Sequence, residues 1–422
     1  MKPRFGFFNM IAAYLEKKPK KDVLIVPISI DYDKVLEVPD YVAQLLGKPK
    51  QKESIFNLIK SIFSLFFNRG GYCYVRFGDS ISMQPSLNAM DQLAKNVSLE
   101  MQACGTITST CLVSAILLWH RNAVGYTLKD LHGDIQWLVQ ILTGRNATVA
   151  PFSSIDMLAD HALHILNHPT TPLPLTCSAD QILSMAYYRN HLMKDFLPDM
   201  CITTVLSSPF YQSKQKFTID MVVEDMQLIW KFAQRLCPTG VSDLKCAVES
   251  FFSAFPALVR KDDFGNLTIE ATAWRVDRFV SFTRMLMWPF MDALELVMHV
   301  LKQHVAPLNE KHRQKHHQFS ERQVVHWVHS LIQSGMIEHH EAFSMESIKQ
   351  ALAALVDYGV LMHQQNDRVY EIMPKYTTIA AFEQLNHRIQ GLRKPRRKLW
   401  EVQASTPAYS SLPWNLTALL IY

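Results

Sequence analysis

DVLIVPISIDYDKVLE, Asp22–Glu37, is the stretch whose reading decides the fold. Asp22–Ile30 is rich in Val and Ile with no helical period, and it reads as a strand buried on both faces. The run then ends abruptly in Asp31, Tyr32 and Asp33. A buried strand that delivers polar groups at its C-terminal end belongs to a wide sheet with an active site at that edge. Pro27 removes one ladder donor, so a bulge or an irregular neighbour is expected there.

Downstream, the loop GKPKQKES (Gly47–Ser54) precedes a segment with apolar residues at Ile55, Leu58, Ile59, Ile62, Phe63 and Phe66. Ser54 can cap this segment as an amphipathic helix, which Arg69-Gly70-Gly71 ends. YCYVRFGD (Tyr72–Asp79) reads as a second strand that stops at Gly78. Strand, helix, strand is a βαβ unit, for which parallel strands and a right-handed crossover are expected. One such unit is too little for a stable α/β domain, since sheets usually have about four to six strands. Residues 1–87 are therefore expected to be part of an α/β domain whose beginning lies upstream of Met1.

From about Asn88 the pattern turns helical. Gly105 and Gly144 mark breaks, and HPTTPLPLTCS (His168–Ser178) reads as a loop because its prolines forbid regular pairing. Further helices are expected in 179–198, 219–236 and 274–305, the last kinked or split at Pro289. EKHRQKHHQFSERQ (Glu310–Gln323) reads as a solvated linker leading into a new helix. Ser344–Pro374 reads as helix, Gly359 break, strand, turn, strand, which is a small helix-plus-β-wing module. The expected fold class is α+β, mostly helical. An incomplete α/β unit (1–87) leads into a large helical domain (88–310), and the winged module with a basic tail (311–422) follows.

The bulk chemistry narrows the function. With 48% hydrophobic and 19% charged residues the chain is globular and apolar, not disordered. A formal charge of +5 is too mild to argue for nucleic acid. It suits an anionic lipid surface or a phosphorylated substrate. The seven cysteines contain no C-x-x-C pair and read as free thiols in a reducing compartment. The N-terminus lacks the apolar core of a signal peptide. Cys104–Trp119 is too short to span a bilayer, and the terminal Leu420-Ile421-Tyr422 matches neither a peroxisomal nor a prenylation address.

Lys48, Lys50 and Lys52 alternate just ahead of a helix N-terminus, where ammonium groups and free N–H groups favour a phosphate. A solvated loop tolerates the same lysines. His312/His316 and His326/His329 have helical metal-ligand spacing, but no third ligand completes it and the surrounding basic residues repel a cation, so no metal is expected. There is no G-x-S-x-G elbow and no Gly-rich phosphate loop. The tract LRKPRRKLW (Leu392–Trp400) fits a membrane-facing tail better than DNA binding.

Several blocks taken together resemble one family. DVLIVPISIDYD, the loop LGKPKQKES, the amphipathic segment and YCYVRFGDSISM follow the outline of the glycerol-3-phosphate and dihydroxyacetone-phosphate acyltransferases. Pro27, Ile28, Ser29, Ile30, Tyr32, Gly47, Lys50, Lys52, Glu53, Phe77, Gly78 and Asp79 fit that outline, and Ser80 stands where the family usually has proline. MAYYRNHLMKDFLP (Met185–Pro198) is similar to the family's Tyr-Arg-Asn helix, and LVDYGVL (Leu355–Leu361) to its terminal module. KESIFNLIK with RFGDSIS leans toward the dihydroxyacetone-phosphate branch.

The resemblance implies transfer of a fatty acyl group from acyl-CoA, a co-substrate with no further cofactor, to a hydroxyl of a three-carbon phosphate in glycerolipid or ether-lipid synthesis. It also implies a membrane surface, with a peroxisomal setting favoured over the mitochondrial outer membrane or endoplasmic reticulum. In the family a His-x-x-x-x-Asp histidine is the general base and a Glu-Gly-Thr-Arg segment grips phosphate. None of the 17 histidines here has an aspartate five positions on; the nearest arrangement is His316 with Glu321. Glu-Gly-Thr-Arg is absent too. No catalytic residue is therefore assigned, and the chain by itself is expected to be inactive. Tyr32, Lys48, Lys50 and Lys52 are the candidate substrate-binding residues, and Arg189 is expected to be a structural ion-pair partner. The competing reading is a non-enzymatic, membrane-associated interaction module or an incomplete gene product.

Overall fold

The computed structural model describes residues 6–18, 23–45, 71–83, 90–167, 177–304, 318–332, 340–364 and 369–376, apart from positions 122, 124 and 214. Helices dominate, and the sheets are small. The architecture is α+β and mostly helical.

At the centre lies the helix Ser109–Trp119, buried from Ser109 through Leu118. Thr108 starts it by accepting the Cys111 N–H on its side chain. Because every face is apolar or hydroxyl-bearing, neighbours can pack on all sides. Leu128–Gly144, Ile155–Ile165 and Ala179–Arg189 do so. Reciprocal capping boxes, Thr127 with Asp130 and Ser178 with Gln181, set the starts of two of these helices. Among the described residues no helix is long and apolar enough to cross a membrane.

Arg278–His304 packs along Met193–Leu206 and runs through Pro289 without a break. Of the kink or split expected at Pro289, the split does not occur. Phe282, Leu286, Met287, Ala293 and Leu294 are buried on either side of the proline. That packing outweighs a lost backbone bond costing about 3 kcal/mol. The C-terminal module forms as expected, with helix Met345–Asp357, Gly359 at φ 67°, and strands Leu361–Gln364 and Val369–Ile372. Gln318–Ser320 adds a third strand beside Val369–Glu371, inside the stretch read as linker. One continuous core runs from Val38 to Ile372.

Near the N-terminus, Leu24–Ile25 (β1), Ile28–Tyr32 (β2), Cys73–Phe77 (β3) and Ile81–Ser82 (β4) form two small sheets, β1 with β4 and β2 with β3. Pro27 interrupts the first run, and its carbonyl accepts the Gly78 N–H at 2.8 Å. Two expectations are corrected here. β2 and β3 are antiparallel, with Ile28 opposite Phe77, Ile30 opposite Val75 and Tyr32 opposite Cys73. Nor is the strand buried on both faces, since Ile28, Ile30, Tyr32, Val75 and Phe77 are exposed. The antiparallel register places Ser29 opposite Arg76 and Asp31 opposite Tyr74 on the other face. That polar face turns to the helical body, where its partners lie.

Histidines gather where Arg278–His304 meets Glu321–Ile332. His304 stacks on Trp327 at 4.7 Å, and His329 Nε2 lies 3.3 Å from the Phe343 carbonyl. Burial lowers the pKa of His299, His304 and His329; Lys302 adds to this at His299 and His326 at the other two, while the Phe343 carbonyl opposes it at His329. A folded pKa below the unfolded one favours the neutral ring, so this stability is present above the unfolded value of 6.5 and is lost as pH falls through the lower folded values. The urea midpoint is therefore expected to fall between about pH 7 and about pH 5, with a shallower slope in His329→Gln. A profile indifferent to that substitution would contradict the assignment.

Candidate functional site

The polar tail of β2 is where sequence reasoning placed a site. Asp33, fully buried, binds with both carboxylate oxygens. Its Oδ2 accepts the Tyr72 N–H at 3.0 Å, lies 2.9 Å from His161 Nε2 and accepts the Tyr74 hydroxyl at 3.4 Å; Oδ1 accepts from Ser109 at 3.2 Å. The Thr110 hydroxyl donates to the Asp33 carbonyl at 2.9 Å. Burial, with the Asp33 charge second, raises the Tyr74 pKa. Gly71 makes the close approach possible: its φ is 77°, and a Cβ there would stand 2.8 Å from Asp33 Cβ. Asp33 is an anchor between sheet and helices, because its acceptor capacity is committed to protein donors.

Asp31 is nearly as buried. Its Oδ2 accepts the Thr106 N–H at 2.7 Å and the Ser29 hydroxyl at 2.8 Å, while Oδ1 lies 3.6 Å from His191 Nε2. Burial lowers the His191 pKa, and the Asp31 charge opposes that shift. Arg76 donates to the Thr148 hydroxyl from the same face. Beside these groups opens a cavity of about 650 Å³, bounded by Tyr32, Lys34, Thr108, Tyr187, Tyr188 and His191 among others. That volume suits a small-molecule ligand. The Tyr188 hydroxyl accepts the Val35 N–H at 3.1 Å and so fixes the loop that follows β2 against the wall.

Of the sequence-derived candidates, Tyr32 borders this cavity and is half exposed. Lys48, Lys50 and Lys52 lie outside the described residues, as does the amphipathic segment after them. Lys34, His191 and Tyr188 were not anticipated; Lys34 stands in the quoted stretch, but the others come from a distant helix and its end. His161 and Asp33 meet across 128 positions, a pairing that no local His-x-x-x-x-Asp spacing reveals. Chemically, His191 beside Asp31 at the cavity, its pKa lowered by burial, has the parts of a general base. Asp31, however, is engaged by Thr106 and Ser29, and His161 is packed against Tyr72 at 5.2 Å and Phe152 at 5.5 Å. Cys111 supplies no nucleophile, since burial pushes its thiol up to about 11.

Arg189, expected to be an ion-pair partner within the helical domain, does form an ion pair, but with Glu341 of the 311–422 part. It is buried, and its NH1 lies 3.0 Å from Glu341 Oε1, whose second oxygen is 3.2 Å from Arg121 NH1. Burial lowers the Arg189 pKa and Glu341 opposes the shift. Among the described residues no group of three or more His, Cys, Asp or Glu side chains could hold a metal ion. His312, His316 and His317 lie outside them.

Fold and site together define a mostly helical α+β scaffold that carries the polar end of a strand to the rim of a small-molecule cavity. The glycerol-3-phosphate acyltransferase C-terminal region is the family whose profile matches residues 41–364, and the chain belongs to it. Curated relatives named glycerol-3-phosphate acyltransferase agree. The protein from Xanthomonas campestris pv. campestris is 27% identical over 228 residues, 46% of this chain and 25% of its own length. That from Actinobacillus pleuropneumoniae serotype 5b is 23% identical over 296 residues, covering 61% and 34%. The one from Shewanella sp. (strain MR-7) is 25% identical over 304 residues, covering 64% and 37%. The chain thus spans from a quarter to little more than a third of the relatives it matches.

Proposed function

We propose that this chain serves acyl-CoA-dependent O-acylation of a three-carbon phosphate, as the part that binds and positions substrate. The observation that carries this reading is the cavity at the end of β2, bordered by Tyr32 and Lys34, in a chain of this family. An alcohol is a weak nucleophile at neutral pH and needs a base. Asp31 and Asp33 are tied into the scaffold and the sequence has no His-x-x-x-x-Asp, so the base is assigned to residues outside this chain. Lys34 supplies a cation at the cavity, and Lys48, Lys50 and Lys52 are proposed to add charge for the acceptor phosphate or CoA. The relatives' names support glycerol 3-phosphate as acceptor. KESIFNLIK and RFGDSIS support dihydroxyacetone phosphate, and with it ether-lipid synthesis and a peroxisomal setting. Both the acyl donor and the acylated product are amphiphiles, which favours work at a membrane surface.

The test is binding and turnover with the full chain, radiolabelled palmitoyl-CoA and each acceptor. Palmitoyl-CoA is expected to bind, with an affinity about tenfold weaker in Lys34→Glu, a loss of about 1.4 kcal/mol. No labelled ester is expected from the chain alone. Absence of binding would refute the role in substrate positioning. Turnover that disappears in His161→Gln or His191→Gln would instead put the base in this chain. Competition between the two acceptors for the bound state decides the branch.

A further inference from the structure

The cavity at the end of β2 has a neighbour. A second cavity of about 310 Å³, still a volume that suits a small-molecule ligand, opens beside it. Leu183, Ala186, Met193, Leu236 and Phe290 give it apolar walls, contributed by four different helices. Tyr187 borders both cavities. Its ring meets Tyr188, on the wall of the first, edge-on at 5.6 Å, and Tyr41, on the wall of the second, at 5.7 Å. Edge-to-face contact is a favoured aromatic geometry, and here it links three tyrosines into a continuous row from one cavity to the other. Tyr187 and Tyr41 are 39% and 38% exposed, which leaves the row open to a ligand lying along it.

Charge separates what the two cavities can take. At the first, Lys34 supplies a cation. At the second, the Arg189 guanidinium donates to Glu341 Oε1 at 3.0 Å and to Asn190 Oδ1 at 2.8 and 3.3 Å, and Glu346 accepts from Gln350 at 2.7 Å. With its cation committed and two carboxylates on the wall, the second cavity disfavours an anionic head and admits an apolar chain. We infer that the second cavity seats the fatty acyl chain of an acyl-CoA whose polar part lies at Lys34, the chain passing along Tyr187, so that the depth of this cavity sets the preferred chain length. The inference rests on the acyl-CoA-binding role proposed above and adds to it the seat of the chain. Each methylene taken out of water there contributes a factor of about four in affinity until the cavity is full.

Cys237 makes the test direct, because it lines the second cavity and is half-buried, while Cys246 is exposed on the helix Leu244–Ala254 and Cys201 is buried. Burial pushes the Cys237 thiol up to about 11. Alkylation of the full chain, mapped by mass spectrometry, is therefore run at about pH 9. The ligands are CoA and S-hexadecyl-CoA, a thioether that does not hydrolyse, below its micelle-forming concentration. S-hexadecyl-CoA is expected to slow Cys237 at least about tenfold and CoA to leave it unchanged, with Cys246 unaffected by either. In calorimetric titration with acyl-CoAs from octanoyl to stearoyl, affinity is expected to rise about fourfold per methylene and then level off. Ala186→Phe narrows the cavity and should move that plateau to a shorter chain, with CoA affinity as in wild type. A Cys237 rate indifferent to S-hexadecyl-CoA while that ligand binds would overturn the acyl seat and leave the substrate-positioning role standing. So would a chain-length profile identical in Ala186→Phe and wild type. Failure of both CoA and S-hexadecyl-CoA to bind would instead refute the positioning role, and the seat with it. Should Ala186→Phe misfold, which a reactive Cys201 reports, the Cys237 protection in the wild-type chain decides alone.

Discussion

Asp33→Ala is expected to destabilise the protein by about 3–5 kcal/mol, the usual cost of removing one partner from a buried charged network. The Asp33 side chain is fully buried and takes bonds from Tyr72, Tyr74, Ser109 and His161. Its removal strands several donors at once. Each orphaned donor carries its own desolvation penalty of about 1–3 kcal/mol. Asp33→Asn keeps one acceptor oxygen and should fall between wild type and alanine. Urea unfolding followed by tryptophan fluorescence reads the change. Local proteolysis between Ile28 and Phe77 should rise before global unfolding, since the bonds lost are those that fasten the sheet to the body. An alanine variant within about 1 kcal/mol of wild type would refute the anchor role.

Arg189→Ala is expected to cost a similar amount, about 3–5 kcal/mol. Glu341 is buried between Arg189 and Arg121, and it ties the Ala179–Arg189 helix to the short turn His340–Phe343 within the C-terminal module. Without Arg189 the carboxylate keeps only part of its compensation. The triple variant Arg121→Met, Arg189→Met, Glu341→Leu removes all three charges and should be closer to wild type than the single alanine, because desolvation offsets most of the attraction in a buried network. A single variant milder than the triple one would show that the contacts there are dominated by packing.

Local chemistry made much of the helical part readable in advance. Gly105 stands just past one helix, and Gly359 stands at the turn into the β-wing with positive φ. Such signals act over a few residues, so they survive without knowledge of the fold. Pro289 is the exception. Its local penalty was plain, but the burial that overrides it comes from residues of other helices. The site was legible only at its near side. Tyr32 is in the quoted stretch, whereas Tyr188 and His191 reach the cavity because Ala179–Arg189 packs beside Ser109–Trp119.

For Asp22–Glu37, the residues alone indicated an apolar strand, irregular at Pro27, whose acidic end faces a site, because strand propensity and the proline's missing donor are local facts. Which way β3 runs beside it, and which face is covered, depended on the distant partners of Asp31, Asp33 and Arg76. A run of Val and Ile is compatible with either face. Asp31, Asp33 and Arg76, which bond Thr106, Ser109 with His161, and Thr148, chose the inner one and left the apolar pairs facing out.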